Sequence, residues 1–133
     1  IIKDVTYIND SKATNLDSVS VAIQSFNKPV VLILGGRNKG ADFRLLLPHI
    51  KSSHVRDIIS YGEAGGQIST AIGDAVRSVQ VTDLNSAVKT AQRLAAPGDV
   101  VLLSPGCASF DQFANFEERG QYFKTKVMEM MAA

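Results

Sequence analysis

The sequence predicts a doubly wound α/β domain: a Rossmann-like, mostly parallel sheet of five or six strands with helices on both faces. Three observations predict it. Short Val/Ile/Leu-rich runs alternate with segments of helical period, and turn residues separate the two. The run Val30 to Leu34 is also apolar throughout, as a strand buried on both faces must be.

The elements follow in chain order. Val5-Thr6-Tyr7-Ile8 reads as a first strand. Leu16, Val19, Ile23 and Phe26 then recur at helical spacing, with Thr14 and Asp17 forming a pair that resembles a capping box. Val30 to Leu34 is the second strand and stops at Gly35-Gly36. A weak helix covers Phe43 to Ile50, interrupted by Pro48, and Val55 to Tyr61 is the third strand. A second weak helix covers Gln67 to Ile72, and Val79-Gln80-Val81 is a short fourth strand. Leu84, Val88, Ala91 and Leu94 make a helical stripe after Asp83, a natural N-cap. Val100 to Leu103 follows the Pro97-Gly98 breaker as the last strand. The final helix carries Phe113, Phe116, Phe123, Val127 and Met130 on one face, with Ser109 and Gln112 as its capping box. On this reading Glu117-Glu118-Arg119 forms a solvated face.

Composition narrows the function. The 133 residues make one domain, 1–133, without an internal repeat or linker, and 45% hydrophobic with 20% charged residues excludes a disordered chain. Fourteen Lys and Arg against thirteen Asp and Glu leave no basic field for nucleic acid. No run approaches the length of about 20 residues needed to cross a bilayer. One cysteine and two histidines, His49 and His54, argue against a disulfide or a structural zinc, and both histidines read as surface groups. No metal site is expected in this chain. The opening at Ile1 without Met reads as a domain excised from a longer protein, and a monomer is the default state.

Ligands of open α/β sheets bind beyond the carboxyl ends of the strands. Three segments lie there: Asn9 to Asn15, Gly35 to Gly40 and Ser104 to Asp111. The first holds seven residues without a strongly apolar side chain, too many for a tight turn. The second brings Arg37 and Lys39 to a glycine-rich turn that is neither a dinucleotide fingerprint nor a Walker A loop. That leaves a cradle for carboxylate or phosphate, or a plain strand-to-helix turn. The third carries Ser109 at a predicted helix start and Cys107, which beside Ala108 reads as a small buried hydrophobe rather than a nucleophile. Three function classes remain: part of an enzyme, a stand-alone small-anion or nucleotide-binding module, and a cysteine-dependent enzyme.

Two long ordered patterns then carry a resemblance. Asn9-Asp10-Ser11-Lys12-Ala13-Thr14-Asn15, Leu34-Gly35-Gly36 with Lys39, and Ser104-Pro105-Gly106-Cys107-Ala108-Ser109-Phe110-Asp111-Gln112-Phe113 followed by Asn115-Phe116-Glu117-Glu118-Arg119-Gly120 resemble the carboxy-terminal domain of the Mur ligases. The likeness spans the chain and points to the branch that adds D-glutamate to UDP-N-acetylmuramoyl-L-alanine. It implies a cytoplasmic enzyme of peptidoglycan synthesis that uses ATP and magnesium to activate the nucleotide substrate's carboxylate as an acyl phosphate, which the D-glutamate amine then attacks. By the same resemblance Thr14, Lys39, Ser109, Phe110 and Phe116 hold D-glutamate. Asp10 contacts the nucleotide ribose, and Asn15 lies on the ATP side. Lys12 reaches phosphate and is the one catalytic candidate. The family's amino-terminal UDP-binding and central ATP-binding domains fall outside 1–133, which implies that this domain alone is inactive. Asn38 stands where the family often has Gly.

Overall fold

A computed structural model describes residues 4–38, 40–109 and 111–132, with residues 131 and 132 as backbone only. Five parallel strands form one sheet: β1 (Thr6–Asn9), β2 (Val30–Gly35), β3 (Val55–Tyr61), β4 (Arg77–Gln80) and β5 (Val100–Gly106), in spatial order β1-β5-β2-β3-β4. The helices are α1 (Leu16–Ile23), a short 3-10 helix (Phe43–Leu46) running into α2 (Leu47–Lys51), α3 (Gly65–Ile72), α4 (Leu84–Leu94) and α5 (Phe116–Ala132). Pro48 is tolerated because it sits in the first turn of α2, where its missing N–H has no partner to lose.

Side chains alternate across the strands, so the sheet has two cores. Leu32, Leu34, Ile58, Val100 and Leu102 pack with α1, α2 and α3 on one face. Val31, Ile33, Ile59, Val101 and Leu103 pack with α4 and α5 on the other. The central strands β2 and β5 are buried from end to end.

β5 runs three residues past the predicted end at Leu103. Its register against β2 steps from Ile33↔Leu103 to Gly35↔Gly106, which leaves one extra residue on β5. A bulge at that point lets a central strand hold Pro105, which has no N–H to give the ladder. The fourth strand also shifts, to Arg77–Gln80, so that the pairing starts at Arg77 rather than Val79 and ends before Val81.

At the lower part of the sheet a charge network replaces apolar packing. The buried Asp57 carboxylate accepts from Arg77 and Arg56, and Arg56 also bridges Asp99 at 2.7 Å and the Leu94 carbonyl at 3.1 Å. Burial pushes the Asp57 carboxyl up, but hydrogen bonds from Arg77 and Arg56 outweigh it and hold it below its ordinary value. A folded pKa below the unfolded one gives stability that is complete above the unfolded value of about 3.9 and is lost as pH falls through the folded value. Asp57→Asn is therefore expected to cost about 1–3 kcal/mol in urea unfolding at pH 7. The gap from wild type should begin to narrow as the pH falls below about 3.9.

Candidate functional site

β1, β5 and β2 are neighbours, so the three polar segments emerge side by side within about 10 Å. The segments after β1 and β2 lead to helices on one face, and the segment after β5 leads to α5 on the other. A crevice opens where adjacent connections diverge in this way.

Backbone hydrogen bonds knit the three segments. Gly106 N donates to the Ala13 carbonyl at 2.8 Å, which holds the buried Ala13, and with it Thr14, against the end of β5. Arg37 and Ala108 exchange two hydrogen bonds, at 2.8 and 3.0 Å, as an isolated antiparallel bridge. Gly36 makes that bridge possible. Its φ is +122°, and a Cβ there would lie 2.3 Å from the Ala108 carbonyl oxygen.

Several candidate residues have defined partners. Ser104 Oγ donates to Asp10 Oδ2 at 3.0 Å, so Asp10 is anchored to β5 rather than paired with Lys12, which is exposed. Both residues line one hollow, and Lys12 also borders a second. The first, of about 710 Å³, also takes in Asp17 and Val21; the second, of about 340 Å³, has Phe116, Gln121 and Lys124 on its far side. Arg37, one of the two cations predicted for the cradle, is engaged instead by Glu63 through two hydrogen bonds of 3.1 Å. That contact raises the Arg37 guanidinium pKa and lowers that of the Glu63 carboxyl, although both groups are half exposed and the pair adds little stability. Ser109 is buried, and Thr14 is half-buried. Cys107 is fully buried, consistent with a small core residue. Lys39 and Phe110 lie outside the described residues.

Three expectations are corrected. Asn15, not Thr14, caps α1, its Oδ1 accepting from Ser18 N at 2.9 Å. Ser109 does not begin the last helix. Its carbonyl accepts from Gln112 N and Phe113 N in a separate turn, α5 starts at Phe116, and Asn115 Oδ1 caps it by accepting from Glu118 N at 2.8 Å. Phe116 is thus the first helical residue rather than a core residue, and it is 39% exposed beside the smaller hollow.

The third concerns Arg119. It is not solvated but fully buried. Its Nε donates to Ser11 Oγ at 2.9 Å, Nη2 to the Ser11 carbonyl at 2.7 Å and Nη1 to the Cys107 carbonyl at 3.0 Å. Ser11 Oγ in turn donates to the Phe116 carbonyl at 2.7 Å. One guanidinium therefore ties the segment after β1 to the segment after β5 and to the start of α5. Gly120 allows the approach, since a Cβ there would meet the Asn9 side chain at 2.9 Å and Ser11 Cβ at 3.2 Å. The signal for this role was the helical period: Arg119 stands four residues before Phe123, on the buried stripe.

Tyr61 closes the floor. Its Oη is buried with no hydrogen-bond partner among the described residues. Burial pushes the phenol far above its ordinary pKa, nearby Arg119 pulls it partly back, and Asp111 pushes it further up. Asp111 Oδ2 accepts from Glu63 N at 3.2 Å, while its Oδ1 is buried without a partner among the described residues. No group of three His, Cys, Asp or Glu side chains among the described residues is placed to hold a metal ion. No helix among the described residues is long and apolar enough to cross a membrane.

The family model described as Mur ligase, glutamate ligase domain, matches residues 1–107. UDP-N-acetylmuramoylalanine--D-glutamate ligase of Chlamydia caviae is 51% identical over 128 residues, covering 96% of this chain and 30% of that protein. The protein of the same name from Salinibacter ruber is 44% identical over 131 residues, covering 98% of this chain and 28% of that protein. The chain thus spans under a third of the length of these curated relatives. A solved domain from Haemophilus ducreyi, described as from a UDP-N-acetylmuramate:L-alanyl-gamma-D-glutamyl-medo-diaminopimelate ligase, shares the fold. Its TM-score is 0.53 and its identity 15%, over 94% of this chain and 93% of that one.

The capping assignment can be checked directly. Asn15→Ala is expected to lower stability by about 1 kcal/mol in urea unfolding, as the loss of an N-cap does. Thr14→Ala should stay within about 0.5 kcal/mol of wild type.

Proposed function

Because the chain belongs to the Mur ligase family, we propose that it is the amino-acid-binding domain of a cytoplasmic, ATP-dependent ligase. The complete protein joins D-glutamate to UDP-N-acetylmuramoyl-L-alanine in peptidoglycan synthesis, as the names of its relatives at about half identity suggest. The observation that carries the reading is the convergence of the three loops of neighbouring strands β1, β5 and β2 on one crevice. Thr14 and Ser109 stand on two of those loops, and the glycine turn forms the third.

The roles follow from chemistry. D-glutamate brings two carboxylates and an amine that must stay free to attack. Lys39, next to the glycine turn in sequence, suits one carboxylate, and the Ser109 and Thr14 hydroxyls suit the other. Phe116, exposed at the start of α5, packs on the aliphatic stem, and Phe110, next to Ser109 in sequence, is assigned to the same substrate. Asp10 and Lys12, which share the wall of the larger hollow, are assigned to the nucleotide: Asp10 takes a ribose hydroxyl and Lys12 a phosphate charge. Asn15 uses its side-chain oxygen as the α1 cap, which leaves its amide nitrogen to the ATP side. ATP supplies the phosphoryl group that activates the substrate carboxylate. The described residues offer no ligand cluster for magnesium, so its site is assigned to the rest of the protein, with the UDP-binding and ATP-binding domains.

The contribution of this domain to the reaction is orientation. The amine lone pair forms the new C–N bond, the C–O bond to phosphate breaks with its electron pair leaving on phosphate, and the nitrogen gives up one proton to solvent. Holding the amine at attack distance removes part of the entropic barrier of a bimolecular step, worth several kcal/mol. The domain alone is inactive on this reading.

In the complete ligase, Lys39→Ala should raise KM for D-glutamate by about tenfold or more, the size expected for a charge-assisted hydrogen bond. KM for ATP should stay within about twofold. Unchanged D-glutamate kinetics in a folded Lys39→Ala enzyme would overturn the assignment of the cradle.

A further inference from the structure

We propose that Arg119 is a buried counter-charge for the amino-acid substrate, a positioning residue that favours a side chain ending in carboxylate over one ending in amide. The inference rests on the reading that the crevice takes D-glutamate.

The guanidinium is fully buried, and every acceptor it has is neutral: one hydroxyl and two carbonyls. None of the ion pairs among the described residues involves it. A buried charge normally has an opposite charge beside it, because hydrogen bonds to neutral groups recover only part of the lost hydration. Asp111 is one acid close enough to act, with Arg119, on Tyr61. Yet Asp111 turns one oxygen to Glu63 N and leaves the other unpartnered, so it does not close on the guanidinium. Compensation by a carboxylate of the chain itself is incomplete.

The location of the charge says what completes it. Nη1 lies 3.2 Å from where a Gly36 Cβ would stand, directly under the glycine turn. The same nitrogen holds the Cys107 carbonyl, two residues before Ser109. The charge therefore underlies both loops that face the anion. Being out of solvent, it is screened little by salt. At an effective dielectric of about 20, the attraction of such a charge for one extra negative charge about 10 Å away corresponds to about tenfold in binding. A second substrate carboxylate feels that attraction and a neutral amide does not.

The test compares D-glutamate with D-glutamine by calorimetric titration of the complete ligase, in wild type, Arg119→Met and Arg119→Lys. Wild type should prefer D-glutamate. Failure of wild type to bind D-glutamate would overturn the underlying functional reading before any variant is made. In Arg119→Met the preference should fall by about tenfold, and in Arg119→Lys it should stay within about threefold despite lower thermal stability. A cooperatively folded Arg119→Met with the wild-type preference would make Arg119 a structural tie only and sink the proposal. If Arg119→Met does not fold, Arg119→Lys decides. Preference retained with the charge supports the counter-charge, and preference lost with the charge present overturns it.

Discussion

Housing one guanidinium sets the terms for the rest of this domain. Removing an arginine head group from water costs several kcal/mol unless its donors are met. Here Arg119 is met by the Ser11 hydroxyl and the carbonyls of Ser11 and Cys107. Two glycines belong to the same arrangement. Gly120 lets α5 close on Asn9 and Ser11, and Gly36 leaves room above the guanidinium while passing under the Ala108 carbonyl. Ser11, Gly36 and Gly120 need touch no substrate to be required. They hold the arginine, and the arginine holds Asp10 to Thr14 and Cys107 to Ser109 at a fixed distance from each other.

Much of this could be read from the residues. The apolar runs marked all five strands, and the rule that ligands sit beyond strand carboxyl ends picked out the three loops that the topology places together. The failures have definite causes. Thr14 and Ser109 each stood at the right spacing to begin a capping box, but a capping oxygen must be free to turn to the backbone of the first turn. Asn15 and Asn115, exposed and closer to their helices, do that instead. The sequence ends β5 at Leu103 because Ser104-Pro105 does not read as strand, whereas a bulge absorbs the proline. Arg119 was misread because its charge outweighed its position, although the period placed it on the Phe123 stripe.

The two ends of the sheet treat polar groups in opposite ways. In its lower part Asp57, Arg56, Arg77 and Asp99 satisfy one another, and Asp57 is drawn to the ionised state by its two arginines. At the carboxyl end Tyr61 Oη, Ser60 Oγ and Asp111 Oδ1 are buried without hydrogen-bond partners among the described residues. One end is optimised for stability, and the other tolerates unmet polar groups. Such tolerance is common where a protein binds or reacts, since stability lost there is made up elsewhere.

The same contrast bears on selectivity. Lys12 stands in solvent, where ions screen it and its side chain must be ordered before it can hold anything. Arg37 is already held by Glu63. Neither group can discriminate strongly between ligands that differ by one charge. A charge that is immobile and out of water before the ligand arrives is different, because no ordering cost remains and little screening applies. In this domain Arg119 is the described cation that meets both conditions. Architecture and selection then draw on one residue, which accounts for a charged side chain being kept where the helical stripe would accept a leucine.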